Sequence, residues 1–213
     1  MNTKIKQIFK NKFLRITQKA SKVKPLPPSK FCKRFKLANV VLHWPIDVDP
    51  FEGFLLVSDK GTGVSLQISR SSRLEYYKSG VDKRLKFLFS EYLLDGIMIS
   101  PRDVVVDVGA NIGEFSLSCV NQFDASVIAF EPDSIECNVL RANLEGQRAE
   151  IWENAAWKEE SLLNFYSKNE TGDSSVYPNE PFLESRQVHA DKIDNFLKSS
   201  KILTPEGRVK VLK

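Results

Sequence analysis

Two carboxylates at the ends of apolar runs offer the clearest chemistry in this sequence. Asp107 follows Val104-Val105-Val106, and Glu131 follows Val127-Ile128-Ala129-Phe130. Short runs of this kind read as buried parallel strands. After Asp107 come Gly109, Ala110, Asn111 and Gly113, a tight small-residue turn. Ile112, Phe115, Leu117 and Val120 then supply the apolar face of a helix. Strand, glycine turn and helix open a doubly wound α/β domain, in which ligands bind beyond the carboxyl ends of the strands. A carboxylate placed there can pair with a cationic centre or accept hydrogen bonds from hydroxyls. Glu131 lies 22 positions after Gly109, close to the roughly 20-residue offset at which an acid meets a ribose hydroxyl.

The turn departs from the dinucleotide fingerprint G-x-G-x-x-G, whose second glycine admits a pyrophosphate. Gly109 and Gly113 are four apart, and Asn111 stands where that second glycine would be. Asp107 would also repel a pyrophosphate. An acid at the strand tip suits a ligand with a positive centre and no phosphate. S-adenosylmethionine, with its ammonium and sulfonium, is such a ligand.

The segments DVGANIGEFS (107–116), AFEP (129–132) and Ala155-Ala156-Trp157 together resemble the FkbM family of S-adenosylmethionine-dependent methyltransferases. Tyr76-Tyr77 and Tyr92-Leu93-Leu94 resemble the lead-in to that domain, so the likeness runs over about residues 75 to 213. It implies a Rossmann-like doubly wound sheet of the class I methyltransferase type. It also implies O-methylation of a small molecule or a glycan hydroxyl. Cofactor contacts are expected at Asp107, Gly109, Ala110, Asn111, Gly113, Glu131 and Pro132. Glu150 to Asn154 reads as a third strand whose end should lie beside the adenine ring, with Asn154 and Ala155 as the contacts. Methyl transfer to oxygen would want a general base. No residue carries a signal for that role, so no catalytic residue is assigned. Two rival readings are an NAD-type oxidoreductase and a non-catalytic cofactor-like scaffold for a basic arm.

The elements that must hold these residues follow from pattern. Hydrophobic content of 42% is enough for a core, and 213 residues suit one ordinary domain plus an appendage. Residues 1–46 contain twelve Lys or Arg and no acid, which leaves 19 basic against 27 acidic residues elsewhere. That asymmetry marks a basic arm on an acidic-to-neutral domain. The expected division is an arm and linker at 1–36, a β-hairpin extension at 37–74 and the cofactor domain at 75–213.

Within the arm, residues 1–24 read as a basic amphipathic helix with Ile5, Ile8, Phe9, Phe13 and Ile16 on one face. It would lie on an anionic membrane surface or acidic partner, pack on the domain, or act as a transit peptide. Pro25, Pro27 and Pro28 should end it as a stiff linker. Phe31 and Phe35 among Lys30, Lys33, Arg34 and Lys36 hint at single-stranded nucleic acid. A solvated basic face is the preferred reading, and no nucleic-acid partner is expected.

Phe54–Val57 and Val64–Ile68 should form a hairpin. Residues 81–94 should form a helix with Gly96 near its end. Tyr76, Tyr77 and Tyr92 are candidates for the cofactor mouth, with core packing preferred for Tyr92. Further helices are expected near Glu114–Gln122 and over Ser134–Leu144, the latter with Ile135, Val139, Leu140 and Leu144 inward and Asp133 or Ser134 as its cap. Leu162–Tyr166 and Gln187–Ala190 read as strands. Lys168–Pro181 reads as a long polar loop able to close over the cofactor.

Cys32, Cys119 and Cys137 lack C-x-x-C spacing and read as reduced thiols of a cytosolic protein. His189 reads as structural, and no Cys/His cluster suggests a metal. No apolar run approaches the roughly 18 residues of a membrane span, so the expected location is cytoplasmic, with membrane contact through residues 1–24 at most. Arg208–Lys213 reads as the start of a fourth parallel strand. A chain stopping there is expected to be a fragment of a longer protein.

Overall fold

The computed structural model describes residues 26–92, 94–101, 103–167, 174–176, 184–204 and 207–213. The expected N-terminal helix over 1–24 lies outside them. So does the polar loop at 168–181, apart from 174–176. The chain divides into two compact units, one up to Arg84 and one from Leu85 onward.

In the first unit Pro28 begins a helix instead of ending one. Helix α1, Pro28–Leu42, carries Pro at its first turn, where the missing N–H costs nothing. It buries Phe31 and Phe35, so the aromatics of the basic cluster are core residues and unavailable to stack on bases. Buried Asn39 ties the helix to the following strand. Its amide donates to the Trp44 and Ile46 carbonyls, and its side-chain oxygen accepts from the Trp44 N–H.

The expected hairpin is a three-stranded antiparallel sheet, β1 (Ile46–Phe51), β2 (Phe54–Asp59) and β3 (Ser65–Ile68), in that order. Ile46 and Val48 of β1 alternate inward, and Pro50 weakens the sequence signal for that strand. A 3-10 turn over Ser71–Tyr77 follows, with Tyr77 fully buried and Tyr76 exposed beneath the guanidinium groups of Arg73 and Arg84.

Helix α2 runs Val81–Glu91, three residues shorter than the apolar spacing suggests. Beyond Tyr92, whose N–H still reaches the Leu88 carbonyl, the turn widens to a five-residue bond from the Leu94 N–H to the Phe89 carbonyl. Leu93 is outside the described residues.

The second unit holds the parallel sheet. Strands β4 (Asp103–Val108), β5 (Ser126–Phe130) and β6 (Ala149–Trp152) pair in parallel, and β11 (Arg208–Leu212) pairs in parallel on the other side of β4. The order is β11-β4-β5-β6. Helices α3 (Glu114–Phe123) and α4 (Ser134–Asn143) connect the first three strands. Val104, Val106, Ile128 and Phe130 face Phe196 of helix α5, Ile193–Ser199. Val105, Val127 and Ala129 point the opposite way and are also buried, with α3 against β4 and β5. Both faces of the sheet are therefore covered, which explains the uninterrupted apolar runs in sequence. This is a Rossmann-like α/β sheet, as the motifs imply.

Two local expectations need correction. Ile135 is 44% exposed and does not point inward on α4. The third strand stops at Trp152, two residues short of Asn154. There the Glu131 N–H takes the Trp152 carbonyl, and the chain leaves for a second sheet. That sheet has the order β7-β10-β8-β9, with β7 at Ala155–Ala156, β8 at Ser161–Ser167, β9 at Ser174–Ser175 and β10 at Glu184–Asp191. Its core is Ala155, Phe165, Val188 and Ala190. The three cysteines are free and buried. Among the described residues no helix is long and apolar enough to cross a membrane.

Candidate functional site

Strand order changes direction between β4 and β11, because β5 and β6 extend one way from β4 and β11 lies the other way. Open α/β sheets bind ligands at such a point, beyond the strand carboxyl ends. The Asp107–Gly113 turn leaves the sheet there, and Glu131 stands at the neighbouring strand end.

The turn is bonded within itself and to β5. Gly109 and Ala110 both donate their N–H to the Phe130 carbonyl, each at 2.9 Å. The Asn111 N–H donates to Glu131 Oε2 at 2.8 Å. The Ile112 N–H donates to the side-chain oxygen of Asn111, and the Gly113 N–H to the Ala110 carbonyl. All five amides are thus occupied. A phosphate-binding turn works by presenting such N–H groups to the anion, and this one has them engaged internally. Glu114, in the first turn of α3, further disfavours an anion there.

Gly109, Asn111 and Gly113 all have left-handed backbone, at φ +70°, +53° and +86°. Asn is among the few side chains that accept this region. The two glycines differ in what surrounds them. A Cβ on Gly113 would lie 2.6 Å from Leu140 Cδ1, whereas a Cβ on Gly109 would meet nothing within 4 Å. Gly113 is small so that α3 can approach α4; Gly109 faces open space. Gly113→Ala should therefore lower thermal stability clearly. Gly109→Val should mainly remove ligand binding, because its side chain enters that space, while backbone strain costs about 1–2 kcal/mol. Melting curves beside ligand titration separate the two, and a Gly109→Val protein that binds ligand normally would remove the turn from the site.

Glu131 is buried, and each carboxylate oxygen accepts one backbone N–H, Oε2 from Asn111 and Oε1 from Asp133 at 2.7 Å. A carboxylate has about four acceptor positions, so capacity for about two more donors remains. Burial pushes its carboxyl up to about 7, against the downward pull of those two N–H donors. Next to it, Asp133 caps α4 by accepting from the Ile135 and Glu136 N–H groups. Arg186 of β10 spans this corner. It donates to the Pro132 carbonyl at 3.1 Å and to Ser134 Oγ at 2.7 Å, and pairs with Asp133 at 3.3 Å.

Asp107 is fully buried and has both oxygens occupied. Ser116 Oγ donates to Oδ2 at 2.7 Å, and Lys213 Nζ to Oδ1 at 2.8 Å. Lys213 also donates to the Gly109 carbonyl at 3.3 Å. Its ammonium lies 5.4 Å from the centre of the Tyr92 ring and 5.6 Å from that of Phe115. Burial works against the Lys213 charge, yet the Asp107 carboxylate outweighs it and raises the ammonium pKa. The strand tip therefore holds an ion pair, Asp107 with Lys213, where the sequence pattern suggested a lone acid.

The structure brings Asp107, Gly109, Ala110, Asn111, Gly113 and Glu131 into one hydrogen-bonded cluster, with Pro132 at its border. Asn154 instead directs its amide to His189, at 3.3 Å from Nδ1. Ala155 pairs with Ala190 in the second sheet. Tyr92 is 42% exposed and packs edge-on to Phe115 at 4.9 Å. Ser116, Arg186 and Lys213 were not visible as site residues in the sequence. For Lys213 the available signal was its position immediately past a strand at the switch point. Among the described residues no three His, Cys, Asp or Glu side chains converge as a metal site.

No family model matches the chain. It is 43% identical over 65 residues to the 31-O-demethyl-FK506 methyltransferase FkbM of Streptomyces tacrolimicus, over 27% of this chain and 25% of that protein. It is 48% identical over 59 residues to the AMB antimetabolite synthetase AmbE of Pseudomonas aeruginosa, over 27% of this chain and 3% of that protein. The chain thus matches a quarter or less of the length of these relatives. The crystal structure of P. horikoshii TYW2 in complex with MeSAdo is a distant likeness, with 16% identity and a TM-score of 0.36 over 68% of this chain and 66% of that one. The resemblance carried by the motifs is matched by the partial likeness to FkbM: the chain is FkbM-like over about a quarter of its length.

Proposed function

We propose that this chain binds S-adenosylmethionine and is part of an enzyme that transfers its methyl group to a hydroxyl of a small molecule or glycan. The observation that carries the reading is Glu131, a buried carboxylate at the end of β5 that fixes the Asn111 turn and keeps acceptor capacity for a ribose diol. The likeness to FkbM supports the reaction class. The bound cofactor would supply an activated methyl group. The protein's share is position and electrostatics. Glu131 accepts the ribose hydroxyls, Gly109 leaves room for close approach, and the turn's occupied amides offer nothing to a phosphate. That last property weighs against the oxidoreductase reading, since NAD carries a pyrophosphate. Isothermal titration with S-adenosylhomocysteine and with NAD tests the proposal. Binding of the first and not the second is expected, and the reverse outcome, or no binding of either, defeats it.

A pH dependence follows from the raised carboxyl of Glu131. Its charged form is the better acceptor of ribose hydroxyls. Affinity for S-adenosylhomocysteine should therefore rise with pH through about 7 and level off above it. Fold stability should respond in the opposite sense. Burial tolerates the neutral carboxyl, so this group's contribution falls as pH rises from the ordinary carboxylate range through about 7. Titrations and melting curves at a series of pH values read both effects, and an affinity that is flat across neutrality contradicts the assignment.

A further inference from the structure

The geometry points to Lys213 as the group that receives the carboxylate of the cofactor's amino-acid tail, an inference that rests on the proposed cofactor. Few hydrogen-bond donors remain open at the strand tip. The five turn amides from Gly109 to Gly113 are all occupied. Asp107 is fully buried, and its two oxygens already hold Ser116 and Lys213. It neither reaches a ligand nor leaves an uncompensated negative charge. Lys213 differs from these groups. Its ammonium has three N–H donors, and among the described residues two acceptors are found for them, Asp107 Oδ1 and the Gly109 carbonyl. Its side chain is 16% exposed.

The ammonium is also held in place. Asp107 and the Gly109 carbonyl fix it from below, and the rings of Tyr92 and Phe115 lie within cation–π range. A fixed ammonium with one spare donor is suited to a carboxylate, because charge-assisted hydrogen bonds are the stronger kind. It is bonded to the same turn as Glu131, the group read as holding the ribose, through the Gly109 carbonyl where Glu131 takes the Asn111 N–H. The two ends of one ligand would thus be read by opposite charges, hydroxyls by an acid and a carboxylate by a base. Lys213 is a ligand-binding and positioning residue in this scheme, with no part in the transfer step itself.

The test compares two ligands on the whole chain, S-adenosylhomocysteine and S-adenosyl-3-thiopropylamine, which is the same molecule without its carboxylate. The wild-type chain should prefer the first by about tenfold, the range of one charge-assisted hydrogen bond. In the double variant Asp107→Asn/Lys213→Met, which removes both members of the ion pair and strands neither charge, the preference should vanish. Equal binding of the two ligands by the wild-type chain overturns the inference and leaves the proposed cofactor standing. So does a preference that survives in the double variant. Failure of the wild-type chain to bind S-adenosylhomocysteine at all defeats the proposed function, and this inference with it. The wild-type comparison needs no variant to fold.

Discussion

Glu131→Ala will lower S-adenosylhomocysteine affinity by at least about tenfold and will also lower the melting temperature. Two losses add. Ribose hydroxyls lose their acceptor, and the Asn111 and Asp133 N–H groups lose theirs. Each buried donor left without a partner costs about 1–3 kcal/mol. Glu131→Gln will be only partly rescued, since an amide has one accepting oxygen where the carboxylate has two. The turn therefore cannot be separated from the ligand at this residue, and both readouts should move together. Isothermal titration and a thermal melt on each variant measure this. Unchanged affinity in a folded Glu131→Ala protein would take Glu131 out of the site.

The second large effect lies in the Asp107–Lys213 pair, and it is asymmetric. Lys213→Met leaves a fully buried carboxylate with Ser116 as its remaining side-chain donor, and breaking a buried pair in this way costs about 3–5 kcal/mol. Asp107→Ala leaves an ammonium that is already partly exposed and can turn towards water, so it should cost less. Asp107→Asn/Lys213→Met should recover most of the loss, because no charge is then stranded. Urea denaturation of the three variants gives the order. If Asp107→Ala proves the costliest, the burial argument fails.

The parts of this site that were legible in the sequence are those whose partners are close along the chain. Val104–Val106, the Gly109–Gly113 spacing and Glu131 lie within one strand-helix-strand unit, where local pattern and local geometry agree. The adenine contacts were placed by extending β6 too far. Trp152 ends the strand, and Asn154 turns to His189, 35 residues away. The pairing at the strand tip is hidden in the sequence for the same reason. Asp107 is visible as an acid, but its partner Lys213 is 106 residues later, and no periodicity reports a pairing across the switch point. In the first unit, β1 was obscured by Pro50, and α1 by a proline-rich entry that reads equally as a linker. Pro at the first turn of a helix and Pro in a linker look alike until the following residues are seen to pack.

Strand β11 has a weak apolar claim on its place. Val211 is buried, but Val209 and Leu212 are 39% and 61% exposed. A strand with so little to bury is prone to slippage. Its position is instead fixed by its two ends. At one end Arg208 meets Asp103 at 2.8 Å, a contact that holds the Asp103 carboxyl down at about 2. At the other end Lys213 meets Asp107 at the same distance. The bases are five residues apart and the acids four, and the irregularity between Val209 and Val211 absorbs the difference. The two strands work like a lock with unequal tooth spacing, in which a shift of one residue would misalign both teeth at once and strand two buried acids. The same lysine that is bonded to the Gly109 turn therefore also sets the register of the strand.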